Sequence, residues 1–145
     1  MQFTEIQWQS ELYDQEIELR LELLRVPLGL TFSAEQLQAE LGELHFGILD
    51  QGRLVACVVI VPLSDALAKL RQMAVATSHQ RQGVGANLIR NLESALQDRQ
   101  FQTIELHARD NAAGFYEKLG YSKQGSQFIE VSLPHWKMTK SIRLT

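Results

Sequence analysis

Val75-Ala76-Thr77-Ser78-His79-Gln80-Arg81-Gln82-Gly83-Val84-Gly85-Ala86-Asn87-Leu88 passes from the end of an apolar strand, through a polar turn, into a helix opened by two glycines. Val84, Leu88, Leu92 and Leu96 give that helix one apolar stripe, the mark of an element packed on a sheet by one face. The start of a helix leaves unpaired N–H groups and the positive end of the macrodipole aimed at one place. Gly83 and Gly85 carry no side chain to block an approaching anion, so the terminus is suited to bind one. A second account stands beside it: the glycines simply allow a tight strand-to-helix turn. The P-loop ending Gly-Lys-Ser/Thr is absent, and the third glycine of a dinucleotide fingerprint is replaced by Leu88.

Working outward, Phe3 to Trp8 predicts a short opening strand, and Leu12, Glu16, Leu19 and Leu23 recur at helical spacing in a helix that ends before Pro27. Ser33, with Gln36 three residues on, predicts the N-cap of a short second helix through Leu41. His45–Leu49, the turn Asp50-Gln51-Gly52 and Leu54–Val61 form a β-hairpin whose second strand, apolar on both faces, belongs at the centre of a sheet. Further strands are expected at Ala68–Val75 and Phe101–Ala108, then a helix at Asn111–Leu119 stopped by Gly120. Two closing strands fall at Phe128–Leu133 and Trp136–Ile142. The order β-α-α-β-β-β-α-β-α-β-β, helices interleaved with a mixed sheet, indicates an α/β (α+β) domain.

A chain of 145 residues suits a single domain over 1–145, and such a chain buries roughly 68–70% of its unfolded surface without needing staples. With 45% hydrophobic and 21% charged residues it is neither disordered nor fibrous. A net charge of −3 without a Lys/Arg cluster argues against general nucleic-acid binding. The N-terminus lacks a signal-peptide pattern, and the apolar run Leu54–Leu63 is too short to cross a bilayer as a helix. Cys57, the single cysteine, lies in an apolar strand, which fits a reducing, cytoplasmic location. His45 and His79 do not cluster with Cys57 at metal-ligand spacing, so no metal site is expected.

Gln80-x-x-Gly83-x-Gly85 resembles the Q/R-x-x-G-x-G/A signature of the GNAT N-acetyltransferase superfamily. Phe115-Tyr116-Glu117-Lys118-Leu119-Gly120-Tyr121 is similar to that family's second segment, in the right order and at the right separation. Phe128-Ile129-Glu130-Val131-Ser132-Leu133-Pro134-His135-Trp136-Lys137-Met138 resembles the ending of ElaA-like members. The resemblance covers nearly the whole chain, is weakest before residue 44, and implies a mixed, mostly antiparallel sheet flanked by helices. It also implies acetyl transfer from acetyl-coenzyme A to a primary amine of a small molecule or protein, by direct attack in a ternary complex.

Carried over residue by residue, the resemblance assigns the pyrophosphate to the amides of Gln80, Arg81, Gln82, Gly83, Val84, Gly85 and Ala86, and the pantetheine arm to Met73, Ala74 and Val75. An N–H of that strand would polarise the thioester carbonyl, where charge develops during attack. Tyr116 takes the place of the family's general acid; a phenol with ordinary pKa of about 10 is a suitable donor to a thiolate. Packing against Phe115 and Leu119 is the alternative role for it. The family's pantetheine-binding Asn stands seven residues before the tyrosine, whereas Asn111 stands five before; helix capping by Asp110 or Asn111 is the simpler account. The strand before the loop, Lys69-Leu70-Arg71-Gln72-Met73, lacks the carboxylate that serves many relatives as base. Glu130, His135 and His107 are the remaining candidates, with water as a possible relay. Arg20 and Arg25 border the acceptor cleft in the family; either they recognise an anionic acceptor or they are ordinary solvated helix charges.

Two other functions fit the same residues: a coenzyme A-binding sensor with weak catalysis, and a structural interaction domain. A homodimer through apolar residues of the terminal strands is also open.

Overall fold

Leu54 to Ile60 are buried without a break, and a strand with no polar face has to be covered on both sides. That strand is β3 (Arg53–Pro62), third in a seven-stranded sheet ordered β1-β2-β3-β4-β5-β7-β6 in the computed structural model, which describes residues 1–143. The other strands are β1 (Gln2–Glu5), β2 (Leu44–Asp50), β4 (Leu67–Val75), β5 (Thr103–Arg109), β6 (Ser122–Glu130) and β7 (Leu133–Ser141). Every neighbouring pair is antiparallel except β4–β5.

Helix α3 (Val84–Asp98) sets Leu88, Ile89, Leu92 and Leu96, all at 0% exposure, against Phe46, Ile48, Val58 and Leu106 of the sheet. Each such side chain contributes roughly 1.5–3 kcal/mol. The short α4 (Ala113–Lys118) adds Ala113 and Tyr116 to the same side. On the opposite face α1 (Glu11–Arg20) packs Tyr13 and Leu19 on Leu54, Cys57 and Ala74. Ser10 caps α1 and Ser33 caps α2 (Ala34–Ala39) through the expected capping box.

The feature that positions the site is the parallel pair. Its register runs only from Leu67↔Thr103 to Leu70↔Leu106, although β4 continues to Val75 and β5 to Arg109. Beyond Leu70 and Leu106 the strands separate. Just there β4 bulges: Cys57 faces Ala74 and Val59 faces Arg71, so Gln72 and Met73 together oppose Val58. Gln72 adopts φ 53, and a bulge of this kind bends the strand and re-aims its N–H groups.

Several boundaries differ from the sequence-based expectation. The first helix does not run unbroken to Pro27: after Arg20 it widens into a π turn, Leu21–Arg25, and Pro27 falls inside a 3₁₀ turn, Val26–Leu28. Strand β6 begins at Ser122 rather than Phe128, because its first six residues are exposed and carry no apolar alternation. The expected strand Phe128–Leu133 is interrupted by a two-residue turn at Val131 and Ser132, both left-handed at φ 50 and 62. Such turns favour Asn and Gly, so Val-Ser gave no turn signal. Asp110 and Asn111 do not cap α4: its N-cap is Ala112, without a side-chain bond. Asp110 instead accepts hydrogen bonds from Gln127 Nε2 and Trp136 Nε1 at 3.0 and 2.8 Å, tying β6 and β7 to the α4 entry.

Close packing between β2 and β3 depends on Gly47, where an added Cβ would lie 2.5 Å from Leu54 Cδ1 and 2.6 Å from the Ala56 carbonyl oxygen. A backbone oxygen cannot swing aside, so Gly47→Ala is expected to lower stability by about 1–3 kcal/mol, measured as a shift in urea midpoint.

Candidate active site

The loop ahead of α3 is tied down from behind. Gln80 Nε2 donates to the Val75 carbonyl at 2.9 Å and Gln82 Nε2 donates to the Ser78 carbonyl at 3.0 Å. His79 bridges Asp50 at 2.8 Å and Ser78 at 2.7 Å, fastening the loop to the β2–β3 turn. These bonds hold the loop through its side chains, while the N–H groups of His79 and Gln80 turn back onto the Ala76 and Thr77 carbonyls at 2.8 and 3.5 Å. Arg81 and Gly83 are left-handed at φ 61 and 81, and no side chain caps α3. The first N–H groups of the helix are therefore orphan donors. A Cβ at Gly83 would meet nothing within 4 Å, so the space over the helix mouth is open. This cradle of uncapped donors, open space and positive dipole end suits an anion. At Gly85 an added Cβ would sit 3.3 Å from Met73 Cε and Phe115 Cζ; both are ends of mobile side chains, consistent with a motif that admits Ala there.

From this cradle the chain leads back along Val75, Ala74 and Met73 into the gap between β4 and β5. Tyr116 stands across it, 9% exposed, with its hydroxyl donating to Met73 Sδ at 3.6 Å. Burial pushes its phenol up to about 12. Phe115 and Tyr121 hold the ring edge-on at centroid distances of 5.0 and 5.8 Å. The expected packing against Phe115 is thus present in the structure. Asn111 lies exposed in the 3₁₀ turn Asp110–Ala112, with no side-chain hydrogen bond to the cradle.

His107 comes together with Glu130 and His135, more than twenty residues further on, on the sheet face opposite α3 and α4. His107 Nδ1 lies 3.0 Å from Glu130 Oε1, and His135 Nε2 lies 3.7 Å from Glu130 Oε2. The Phe128 ring packs between the two imidazoles, at 5.0 Å from His107 and 6.0 Å from His135. His135 Nδ1 donates to the Leu133 carbonyl at 2.8 Å, which fixes its ring. His107 and Glu130 retain side-chain exposures of 25% and 41%, against 7% for His135. His107 follows Leu106, the last residue of β5 in register with β4, so this group stands beside the gap.

Residues 18–142 match the family described as "Acetyltransferase (GNAT) domain". The chain belongs to the GNAT acetyltransferase family. The uncharacterized protein YyaT of Bacillus subtilis is 35% identical over 75 residues, 52% of this chain and 51% of YyaT. The chain thus spans about half the length of the curated relative it matches. An aminoglycoside 6'-N-acetyltransferase complexed with coenzyme A superposes with a TM-score of 0.85 at 20% identity, over 100% of this chain and 99% of that one. Escherichia coli ElaA superposes with a TM-score of 0.78 at 18% identity, over 97% and 99%. At such identities the likeness is one of fold.

In this GNAT domain the first helix holds a buried polar cluster that sequence spacing did not reveal. Arg20 is not a solvated helix charge: it is 0% exposed. It donates to Glu16 at 2.7 Å, to both oxygens of Glu40 at 2.8 and 2.6 Å, and through Nε to Gln72 Oε1 at 3.1 Å. His45 Nδ1 donates to Glu16 at 2.9 Å, and Tyr13 donates to Glu40 at 2.8 Å. Glu16, Glu40 and His45 bring potential ligand atoms within 4.8 Å of one another, and the guanidinium of Arg20 is the cation they surround. Through Gln72 the cluster reaches the bulge itself, holding the residue that bends β4. The only trace in the sequence is Arg71-Gln72, a polar pair interrupting an apolar strand.

Burial by itself would lower the His45 pKa, but the hydrogen bond and charge of Glu16 overcome it and hold the imidazole above its ordinary value. Its stabilising charge is therefore complete below about pH 6.5 and is lost as pH rises through the folded value. The urea midpoint is expected to fall as pH rises above about 6.5, and His45→Gln should remove that step from the profile.

Proposed function

We propose that this chain is an acetyl-coenzyme A-dependent N-acetyltransferase, a single catalytic domain in which a primary amine attacks directly within a ternary complex. The observation that carries this reading is the continuity of three features: an uncapped α3 mouth at Gly83, a bulged β4 leading away from it, and a gap crossed by the Tyr116 hydroxyl. Bound acetyl-coenzyme A would supply an activated acyl thioester, whose C–S bond breaks as the amine nitrogen bonds to the acyl carbon.

The main-chain donors from Gln80 to Ala86 bind the diphosphate, and the edge of β4 at Met73, Ala74 and Val75, freed from β5, pairs with the pantetheine arm. The bulge aims an N–H of this segment at the thioester oxygen, where negative charge builds. Tyr116 gives its proton to the departing sulfur. Its buried phenol stays neutral at physiological pH and holds that proton ready. On the opposite face His107 and Glu130 receive the proton of the incoming ammonium. Glu130 accepts from His107 Nδ1–H and so orients the ring, leaving Nε2 as the basic atom. His135, tethered to Leu133, stacks on Phe128 beside Glu130. Asn111, exposed in the turn ahead of α4 and not used as its cap, is offered as a contact for the pantetheine arm. A reducing, cytoplasmic setting agrees with Cys57, whose thiol is fully buried and pushed well above its ordinary pKa by desolvation. The exposed apolar pair Ile129 and Val131 at the β6–β7 tip supports pairing of two copies.

Acetyl-coenzyme A should raise the melting temperature by an amount that grows with its concentration; no shift at millimolar ligand overturns the reading. With an accepting amine, Tyr116→Phe should reduce kcat by about 10²-fold while the dissociation constant of acetyl-coenzyme A, measured by calorimetry, changes little. Undiminished turnover would leave Tyr116 a packing residue.

A further inference from the structure

Arg25 closes the π turn Leu21–Arg25, and its guanidinium lies 4.5 Å over the Phe32 ring, while that of Arg20 lies 4.6 Å from the same ring. The two arginines differ in what they do with their charge. Arg20 is fully engaged by Glu16, Glu40 and Gln72. Arg25 and Arg71 make no ion pair with any carboxylate among the described residues. Partial burial, then the neighbouring charges of Arg20 and Arg71, lower the Arg25 pKa, which agrees with cations held close together. The charge of Arg71 is felt by Glu43, which makes no ion pair among the described residues and is held above its ordinary pKa by burial and by Glu40. Glu40 also bears on Arg25, but both its oxygens are already held by Arg20, so Arg25 and Arg71 keep guanidinium donors that no carboxylate among the described residues has taken and that an incoming oxyanion would engage.

The location gives these donors a use. Arg71 follows Leu70, the last β4 residue in register with β5, just as His107 follows Leu106. The two strands alternate in step, so both residues are on the face opposite α3 and α4. The gap is thus flanked on this face by His107 and Glu130 on one side and by Arg71, Arg25 and Phe32 on the other. We infer that the acceptor is an amine carrying an oxyanion, a carboxylate or a phosphate, with Arg25 and Arg71 gripping the anion while His107 faces the nitrogen. The Phe32 ring holds the Arg25 fork in a fixed plane, suited to two-point contact with either anion. A polycationic acceptor would meet repulsion from the same pair. This inference rests on the acetyl-transfer reading and adds the substrate class to it.

The test uses the full chain with acetyl-coenzyme A and matched acceptors: γ-aminobutyrate against its amide, 2-aminoethyl phosphate against ethanolamine, and spermidine as a polycation. The anionic member of at least one pair should show kcat/KM about tenfold or more above its neutral partner, and the pair that responds more strongly identifies the anion. Arg25→Gln and Arg71→Gln should each raise KM for that acceptor about tenfold, with kcat and acetyl-coenzyme A affinity little changed, and Arg25→Lys should recover part of the loss. A preference for spermidine or for the neutral amines, or an unchanged KM in both glutamine variants, overturns the inference while leaving acetyl transfer intact. If none of the amines is turned over, calorimetry of the anionic amines on coenzyme A-saturated protein decides. Binding that is lost in Arg25→Gln supports the inference, and no binding overturns it. Failure of acetyl-coenzyme A itself to bind would instead defeat the reading on which the inference rests.

Discussion

The parting of β4 from β5 after Leu70 and Leu106 is the constraint from which the rest of the site follows. A continuous parallel pair would spend the N–H and C=O groups of Met73 to Val75 on neighbouring backbone and leave no place for a ligand between them. Separation exposes that backbone and opens the sheet from one face to the other. The α3 mouth and Tyr116 lie on one face, His107 and Glu130 on the other, and the gap is where the two faces meet.

An opened sheet has to be held open. In β4 the bulge at Gln72 and Met73 turns the strand, and Gln72 does so in a left-handed conformation that few residues other than glycine adopt. Arg20 bonds to its side chain from a cluster in which two glutamates, an arginine and a histidine satisfy one another. Such a cluster is costly to bury and stable only when complete. Completeness ties α1, the end of α2 and β2 to a single point on β4. The strain at the bulge is therefore met by elements far from it in sequence. The β6–β7 turn repeats the pattern on a smaller scale: left-handed Val131 and Ser132 place Glu130 between His107 and His135, held by Phe128 and the Leu133 carbonyl.

Much of the fold was legible because its signals are local. The stripe from Val84 to Leu96, the unbroken apolar run of β3 and the capping box at Ser33 each depend on side chains within a few residues of one another. The order of strands and helices followed from them, and so did the glycine-opened mouth of α3. Illegible features had no local signature. Ser122 to Gln127 form an exposed edge with no alternation to detect, and Asp110, a plausible cap by type and place, is taken instead by Gln127 and Trp136.

By itself the sequence determined the element order and the residue types at the α3 mouth, including the tyrosine thirty-odd residues beyond it, since periodicity and short motifs are properties of neighbours along the chain. Only the tertiary structure decided which charges are buried and which remain to act. Arg20 and Arg25 stand five positions apart on one continuous turn, yet one is sealed inside a carboxylate cluster and the other lies over Phe32 beside Arg71. The physical reason is that a charge takes its role from its solvent and its partners. For these residues the distant partners come from the segments flanking α2 and from β4, which meet α1 only in the folded chain.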